Sequence, residues 1–345
     1  MAYSSYEAGP RELGNGVYAY LQPSGGWGLS NAGLVVDSDS SLLIDTLFDR
    51  AHTELMLAEM RRISSASDID IVVNTHANGD HCWGNELVRG ARRIASAACA
   101  EEMSELLPKK LALLMRVARP LARLGRTGPR VGAVLGAIGW KKARVLCDAA
   151  PFALEAFGRF DFEGIELAGP TETFSGHCQV PVGDKTLSLW ELGPAHTRGD
   201  VVVHVPHART VFTGDIVFAE AHPAIWQGPI SHYLKACEFI EKLDVDIVVP
   251  GHGPVTDMSA VRQLRDYLAW LMQASRERFD ASLDAESAAL DLQIPAPFDA
   301  WTEPERLVVN VAACYRELAG VPGHEDTIDL FGAMGRWRRK THRFD

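Results

Sequence analysis

The chain has 345 residues, 47% of them hydrophobic and 23% charged, which is enough apolar surface for a sizeable core. Its formal net charge of −11 argues against nucleic acid as a partner, and no apolar run reaches the length needed to span a bilayer. Six scattered cysteines without a CxxC pair read as reduced thiols rather than a disulfide framework.

The N-terminus, MAYSSYEAGPRELG, lacks a basic stretch followed by an apolar one, so no signal peptide is read and a cytoplasmic protein is expected. Short apolar runs at 16–22, 32–38 and 41–46, separated by Gly, Ser and Asp, predict strands. Residues 51–62 have the spacing of an amphipathic helix. DIDIVVNT (68–75) then reads as a strand buried on both faces. The same pattern returns as DVDIVVPGHG (244–253), which sets His252 on His76. TVFTGD (210–215) ends a strand on Asp215, much as SLLIDT (41–46) ends on Asp45 and Thr46. This echo points to a pseudo-duplicated, layered α/β fold. Chance recurrence is the alternative, because such runs are common in buried strands.

Residues 100–160 read as a helical insertion that covers something. Within it, 109–144 hold ten basic residues and no acid. Leu111, Leu114, Met115, Ala118 and Leu121 recur at helical spacing, and Pro120 is expected to kink or break that helix. A solvated basic face is the plainer reading of this segment, and attraction to an acidic partner is the other. From about 257 the chain is mostly helical. Residues 258–279 predict one long helix and 301–318 another, with Thr302 and Glu305 placed as a capping box. The basic tail RWRRKTHRFD (336–345) is expected to fray.

The chemistry gathers in strand-end loops. NTHANGDH (74–81) carries His76, Asp80 and His81, and a tight loop can aim all three at one point. Three further candidates also sit just past apolar strands beside Gly or Pro: His196, Asp215 and His252. Imidazole and carboxylate are the ligands a hydrolytic zinc or iron site uses. Loops at one edge of a layered α/β fold are where ligands bind. Cys82 and Trp83 read as packing beneath the site. His177, His204, His207, His324 and His342 read as structural or surface residues.

The set H-x-x-x-D-H, GPAHTxGD, TGD and PGHG, in that order, resembles the metallo-β-lactamase superfamily over roughly residues 10 to 260. The resemblance implies an α/β, four-layer αββα sandwich with a helical insertion and a helical C-terminal extension. Its domains would be 1–256, with the lid-like insertion at about 100–160, and 257–345 packed upon it. Carried over residue by residue, His76 and His196 would serve a first metal. Asp80, His81 and His252 would serve a second, and Asp215 would bridge. The family's second histidine falls on Asn78, where this chain departs. An amide oxygen is a poorer zinc ligand than imidazole, so a firm second site and a weak or absent first are expected. The resemblance also places the loop of His222 at the pocket border, making His222 a candidate substrate contact. Asp80 would be both ligand and proton acceptor.

The implied cofactor is zinc, one or two ions, with iron or manganese also compatible. The implied reaction is attack of metal-activated water on a carbonyl: an ester, thioester or lactone of an apolar or polyketide-like small molecule. VYAYLQPSGGWGLSNAGLVV (17–36), PTETFSG (170–176) and GPAHTRGD resemble the branch of the superfamily with bacterial polyketide cyclases and thioesterases. An acyl carrier protein or a coenzyme A thioester would then be a partner. A metal-assisted cyclase or lyase, and a metal-free binding protein on the same fold, are the other readings.

Overall fold

Alternation along the strands sets the layers. In β4 (Ser40–Ile44), Leu42 and Ile44 point to one face and Leu43 to the other, as the two-residue period of a strand requires. Leu42 and Ile44 meet Val73 of β5 (Ile71–Val73) and Ile94 of β6 (Arg92–Ser96) in a cluster shared with a second sheet. Leu43 and Val72 pack the other way, on Met56, Leu57 and Met60 of α1 (Arg50–Ile63). The computed structural model describes residues 7–22, 26–63, 69–124, 127–323 and 325–341.

The first sheet runs in chain order from β1 (Gly9–Gly14), β2 (Val17–Leu21) and β3 (Ala32–Asp37) through β4, β5 and β6 to β7 (Glu172–Phe174). Its first four strands pair antiparallel and its last four parallel. The second sheet is β8 (His177–Val182), β9 (Lys185–Glu191), β10 (Val201–Val205), β11 (Thr210–Phe212) and β12 (Ile247–Val249), antiparallel except for β11 and β12. Val180, Leu187, Leu189, Val201, Val203 and Phe212 complete the core between the sheets. Val202, Val211 and Val248 face outward onto α7 (Ile230–Ile240) and α8 (Met258–Asp280), making a four-layer αββα sandwich.

The echo between the halves has a structural counterpart. Two parallel pairs, β4 with β5 and β11 with β12, each carry a histidine three residues past the second strand: His76 after Val73 and His252 after Val249.

Helices fill the rest: α2 (Gly79–Cys82) in the metal-type loop, then α3 (Ala97–Met103), α4 (Pro108–Ala122), α5 (Thr127–Ala137) and α6 (Lys141–Phe157). After the second sheet come α9 (Ala285–Asp291), α10 (Leu307–Ala319) and α11 (Thr327–Thr341). Among the described residues all six cysteines are free. None of the described helices is long and apolar enough to cross a membrane.

Four expectations change. The strand expected at 68–75 is short, 71–73, and its first residue lies outside the described residues. Pro120 does not break α4 where it stands: it forgoes the bond that an N–H there would make to Arg116 O, and the helix runs two residues further, to Ala122. The helix expected at 301–318 starts only at Leu307, and Thr302 and Glu305 form no capping box. The Thr302 hydroxyl instead donates to Glu220 O, and Glu305 is buried, accepting from Trp27 Nε1 at 2.8 Å. Finally, the tail to Thr341 is ordered helix. Arg336 and Arg339 pair with Asp148 of α6, and Arg338 with Glu155. Residues 1–6 and 342–345 lie outside the described residues.

Candidate metal centre

Six of the sequence-derived residues meet at the carboxyl ends of the strands. Asp215, in the turn after β11, is the hub. His81 Nε2 lies 3.1 Å from its Oδ1, while His196 Nε2 at 3.3 Å, His252 Nε2 at 3.4 Å and His76 Nε2 at 3.9 Å surround Oδ2. Asp80 reaches His252 Nε2 at 3.4 Å. Two sets could hold a metal ion: His76, His81 and Asp215, and Asp80, His81 and His252, each with ligand atoms within 4.8 Å of one another. Asn78 is also present. Its Nδ2 lies 3.0 Å from His196 Nε2, on the nitrogen that faces Asp215.

The surroundings fix the imidazoles for this task. His196 Nδ1 donates to Ala224 O, leaving Nε2 with its lone pair toward the cluster. His81 Nδ1 meets Asp45 Oδ2 at 2.8 Å, and Asp45 also accepts from Thr75 N and Thr75 Oγ1. Asp200 accepts from Ala195 N, Thr197 N and Thr197 Oγ1, which tightens the loop that carries His196. Asn31 Nδ2 holds Pro250 O and Gly253 O on either side of His252. Gly251 permits the close approach, since a Cβ there would stand 2.0 Å from Asp215 Oδ1.

Electrostatics follow from burial and charge. Burial pushes the Asp215 carboxyl up, but His252, His81, His196 and His76 outweigh it and hold it well below the usual range. Burial lowers His196 to about 4 despite the nearby Asp215, and lowers His76 well below the ordinary imidazole value. Both are therefore neutral at pH 7, the form that ligates metal. For His81, burial is overcome by Asp215 and Asp45, and its value is raised. The donor set fits a divalent cation. His76 Nε2 is buried and has no hydrogen-bond partner among the described residues, an arrangement costing about 1–3 kcal/mol that a bound cation would relieve.

His222 is not brought into this cluster. Its ring is buried edge-on to Tyr267 and Trp301, with Nδ1 3.2 Å from the Tyr267 hydroxyl, on the side of the C-terminal helices. The Cys82 thiol is buried against Ala77 O and Asn78 O and pushed well up by that burial, so it packs as a small apolar group. His177 is exposed and stacks on Trp190 on the second sheet, and His324 and His342 lie outside the described residues.

Sequence reasoning missed a brace from the C-terminal extension. The buried Arg306 guanidinium stands 4.4 Å from the Trp27 ring and 5.1 Å from Phe218, whose own ring stacks parallel on His252. Trp27 in turn meets Phe152 and Phe157 of α6, Phe331 of α11, and Trp226. Trp226 N donates to His196 O, so these aromatics abut the loop that carries His196. The signal available beforehand was only a run of apolar and charged letters far apart in the chain.

The description "Metallo-beta-lactamase superfamily" fits residues 25–252, about two thirds of the chain. The chain belongs to the metallo-β-lactamase superfamily. The human acyl-coenzyme A thioesterase MBLAC2 is 30% identical over 94 residues, which is 26% of this chain and 33% of that protein. The match therefore spans about a third of the curated relative's length. Among solved structures, the sec-alkylsulfatase Pisa1 from Pseudomonas sp. is 16% identical, with a TM-score of 0.64, covering 91% of this chain and 50% of that one. A metallo-β-lactamase from Pontibacter korlensis is 18% identical, with a TM-score of 0.51, covering 76% and 99%. At these identities the two structures share the superfamily fold.

Proposed function

We propose that this superfamily member is a metal-dependent hydrolase of apolar acyl thioesters, such as acyl-coenzyme A or an acyl chain on a carrier protein. The observation that carries the reading is the aromatic group of Trp27, Trp226, Phe152 and Phe331, joined to the His/Asp cluster where Trp226 N donates to His196 O. Such a group suits a long apolar chain whose reacting carbonyl lies at the metal centre. The likeness to a thioesterase supports the same choice.

His76, His196, Asp80, His81, Asp215 and His252 would hold the ions, with zinc as the expected metal. A cation there supplies Lewis acidity and lowers the pKa of water toward ~7. Asp80 is suited to accept the proton. Burial pushes its carboxyl up, but the hydrogen bond from His252 and the charges of His81 and His252 keep it below the usual range, hence ionised. Asp45 holds His81 in one orientation and tautomer. His222, behind Tyr267, would act on substrate only by supporting the loop that carries Trp226.

The test is release of free thiol from a series of acyl-coenzyme A thioesters of increasing chain length. Turnover is expected to favour long chains, stop on chelation, and fall roughly a hundredfold or more in Asp80→Asn. A metal-loaded chain that releases thiol from none of them overturns the thioesterase reading. A second reading, a single-cation cyclase or lyase, draws on the amide of Asn78 at His196 Nε2. It predicts a rearranged product with no thiol released.

A further inference from the structure

The insertion has an outer face that nothing in the described chain covers. On α4, Leu113 is 60% exposed and Val117 lies one turn on, with Leu124 exposed just past the helix end. Val134 of α5, and Ile138 and Trp140 just past its end, are 64%, 65% and 64% exposed, with Val131 on the helix beside them. Basic side chains edge these stripes: Lys109, Lys110 and Arg123 along α4, Arg130 on α5, and Lys141 and Lys142 after Trp140. These six are exposed and form no ion pair with the described residues.

The side of α5 that packs inward explains the exposure. It is lined by Gly128, Gly132 and Gly136. A Cβ on Gly132 would come 2.7 Å from Cys147 Cβ, and one on Gly136 2.8 Å from Arg144 Cδ. The helix thus buries its smallest residues against α6 and turns its largest apolar residues outward. A surface helix of a water-soluble domain does the reverse. Isolated exposed apolar residues need no explanation, but a contiguous set rimmed by charge marks an interaction surface.

We propose that the α4–α5 hairpin is an interfacial docking surface for an anionic lipid bilayer. Leu113, Val117, Val134, Ile138 and Trp140 would enter the acyl boundary, while the flanking lysines and arginines reach lipid phosphates. Charge selects the occupant. Residues 109–144 hold ten bases and no acid in a chain of net charge −11, and the six that edge the stripes form no ion pair among the described residues, so this face is cationic. A second copy would set like charge against like across a two-fold axis. An acidic protein would need a separate pocket for each protruding side chain, whereas a bilayer needs none. The helices are too short to span, so the hairpin lies on the surface. This inference stands apart from whatever the metal centre hydrolyses.

The experiment is co-sedimentation of the full metal-loaded chain with vesicles of phosphatidylcholine alone and of phosphatidylcholine mixed with phosphatidylglycerol. Binding to the mixed vesicles is expected to be at least about tenfold stronger and to weaken with added salt. The double variants Ile138→Ser/Trp140→Ser and Lys141→Glu/Lys142→Glu are each expected to lose about tenfold or more. These side chains are exposed, and unchanged melting temperature and metal content check that the fold is intact. Equal partition of wild type and both variants, or no binding to anionic vesicles, overturns the proposal. So does a dimer in light scattering that Ile138→Ser/Trp140→Ser disperses while vesicles fail to compete with it.

Discussion

The motif resemblance sets Asn78 at the place of a ligand histidine, and its amide nitrogen is 3.0 Å from the one nitrogen of His196 left open for ligation. The amide therefore competes with a cation for His196 as well as failing to replace an imidazole. The second set, Asp80, His81 and His252, is untouched. Purified without chelators, the wild type is expected to hold about one ion per chain, and Asn78→His is expected to move toward two. Elemental analysis of both proteins decides it. Two ions in the wild type would mean that Asn78 turns its oxygen inward and ligates. The ligands were legible because their spacing is local: His76, Asp80 and His81 share one loop. Asp45 was visible only as a polar residue ending a strand, since its partner His81 comes from a different loop, 36 residues on.

Elements held by distant partners were the ones misread. Residues 336–341 look like a solvated basic tail because no acid lies near them in sequence. Their acids are Glu286 of α9 and two on α6, where Asp148 is nearly buried between Arg336 and Arg339, with Arg144 at 3.9 Å. The same holds for Glu305, drawn from an apparent cap to Trp27 by a hydrogen bond across 278 residues. The insertion is thus clamped to the C-terminal extension, and α6 is fixed where Phe152 and Phe157 support Trp27. Asp148→Ala removes the acid that Arg336 and Arg339 share, while Arg336 keeps Glu286 of α9. The arginines keep part of their solvent, so the expected loss is about 1–3 kcal/mol rather than the full penalty of a buried pair. Hydrogen exchange should show α6 and α11 loosening together while the sandwich strands keep their protection. Loosening of α11 alone would mean that the clamp does not hold the insertion.

For the whole molecule, the four-layer sandwich was readable because β-branched runs, strand alternation and the repeated D-[IV]-D-[IV] pattern are all local signals of buried strands. What local pattern could not supply was how the two halves are joined at their shared edge. His76, Asp80 and His81 come from the first sheet's loops, and His196, Asp215 and His252 from the second's. A cation bound among them links loops of both sheets in the native state and has no such site in the unfolded chain. Binding to the native state alone stabilises it by RT ln(1 + [L]/Kd), about 4 kcal/mol at a thousandfold excess over Kd. Chelation should therefore lower the melting temperature by several degrees, and zinc should restore it. The sign is fixed by the linkage: removing a ligand that binds only the native state cannot raise stability. A chelated chain, shown metal-free by elemental analysis, that melts where the untreated one does would mean that no cation bridges the two halves. Asp215 would then be held by the protons of His81 and His252 alone.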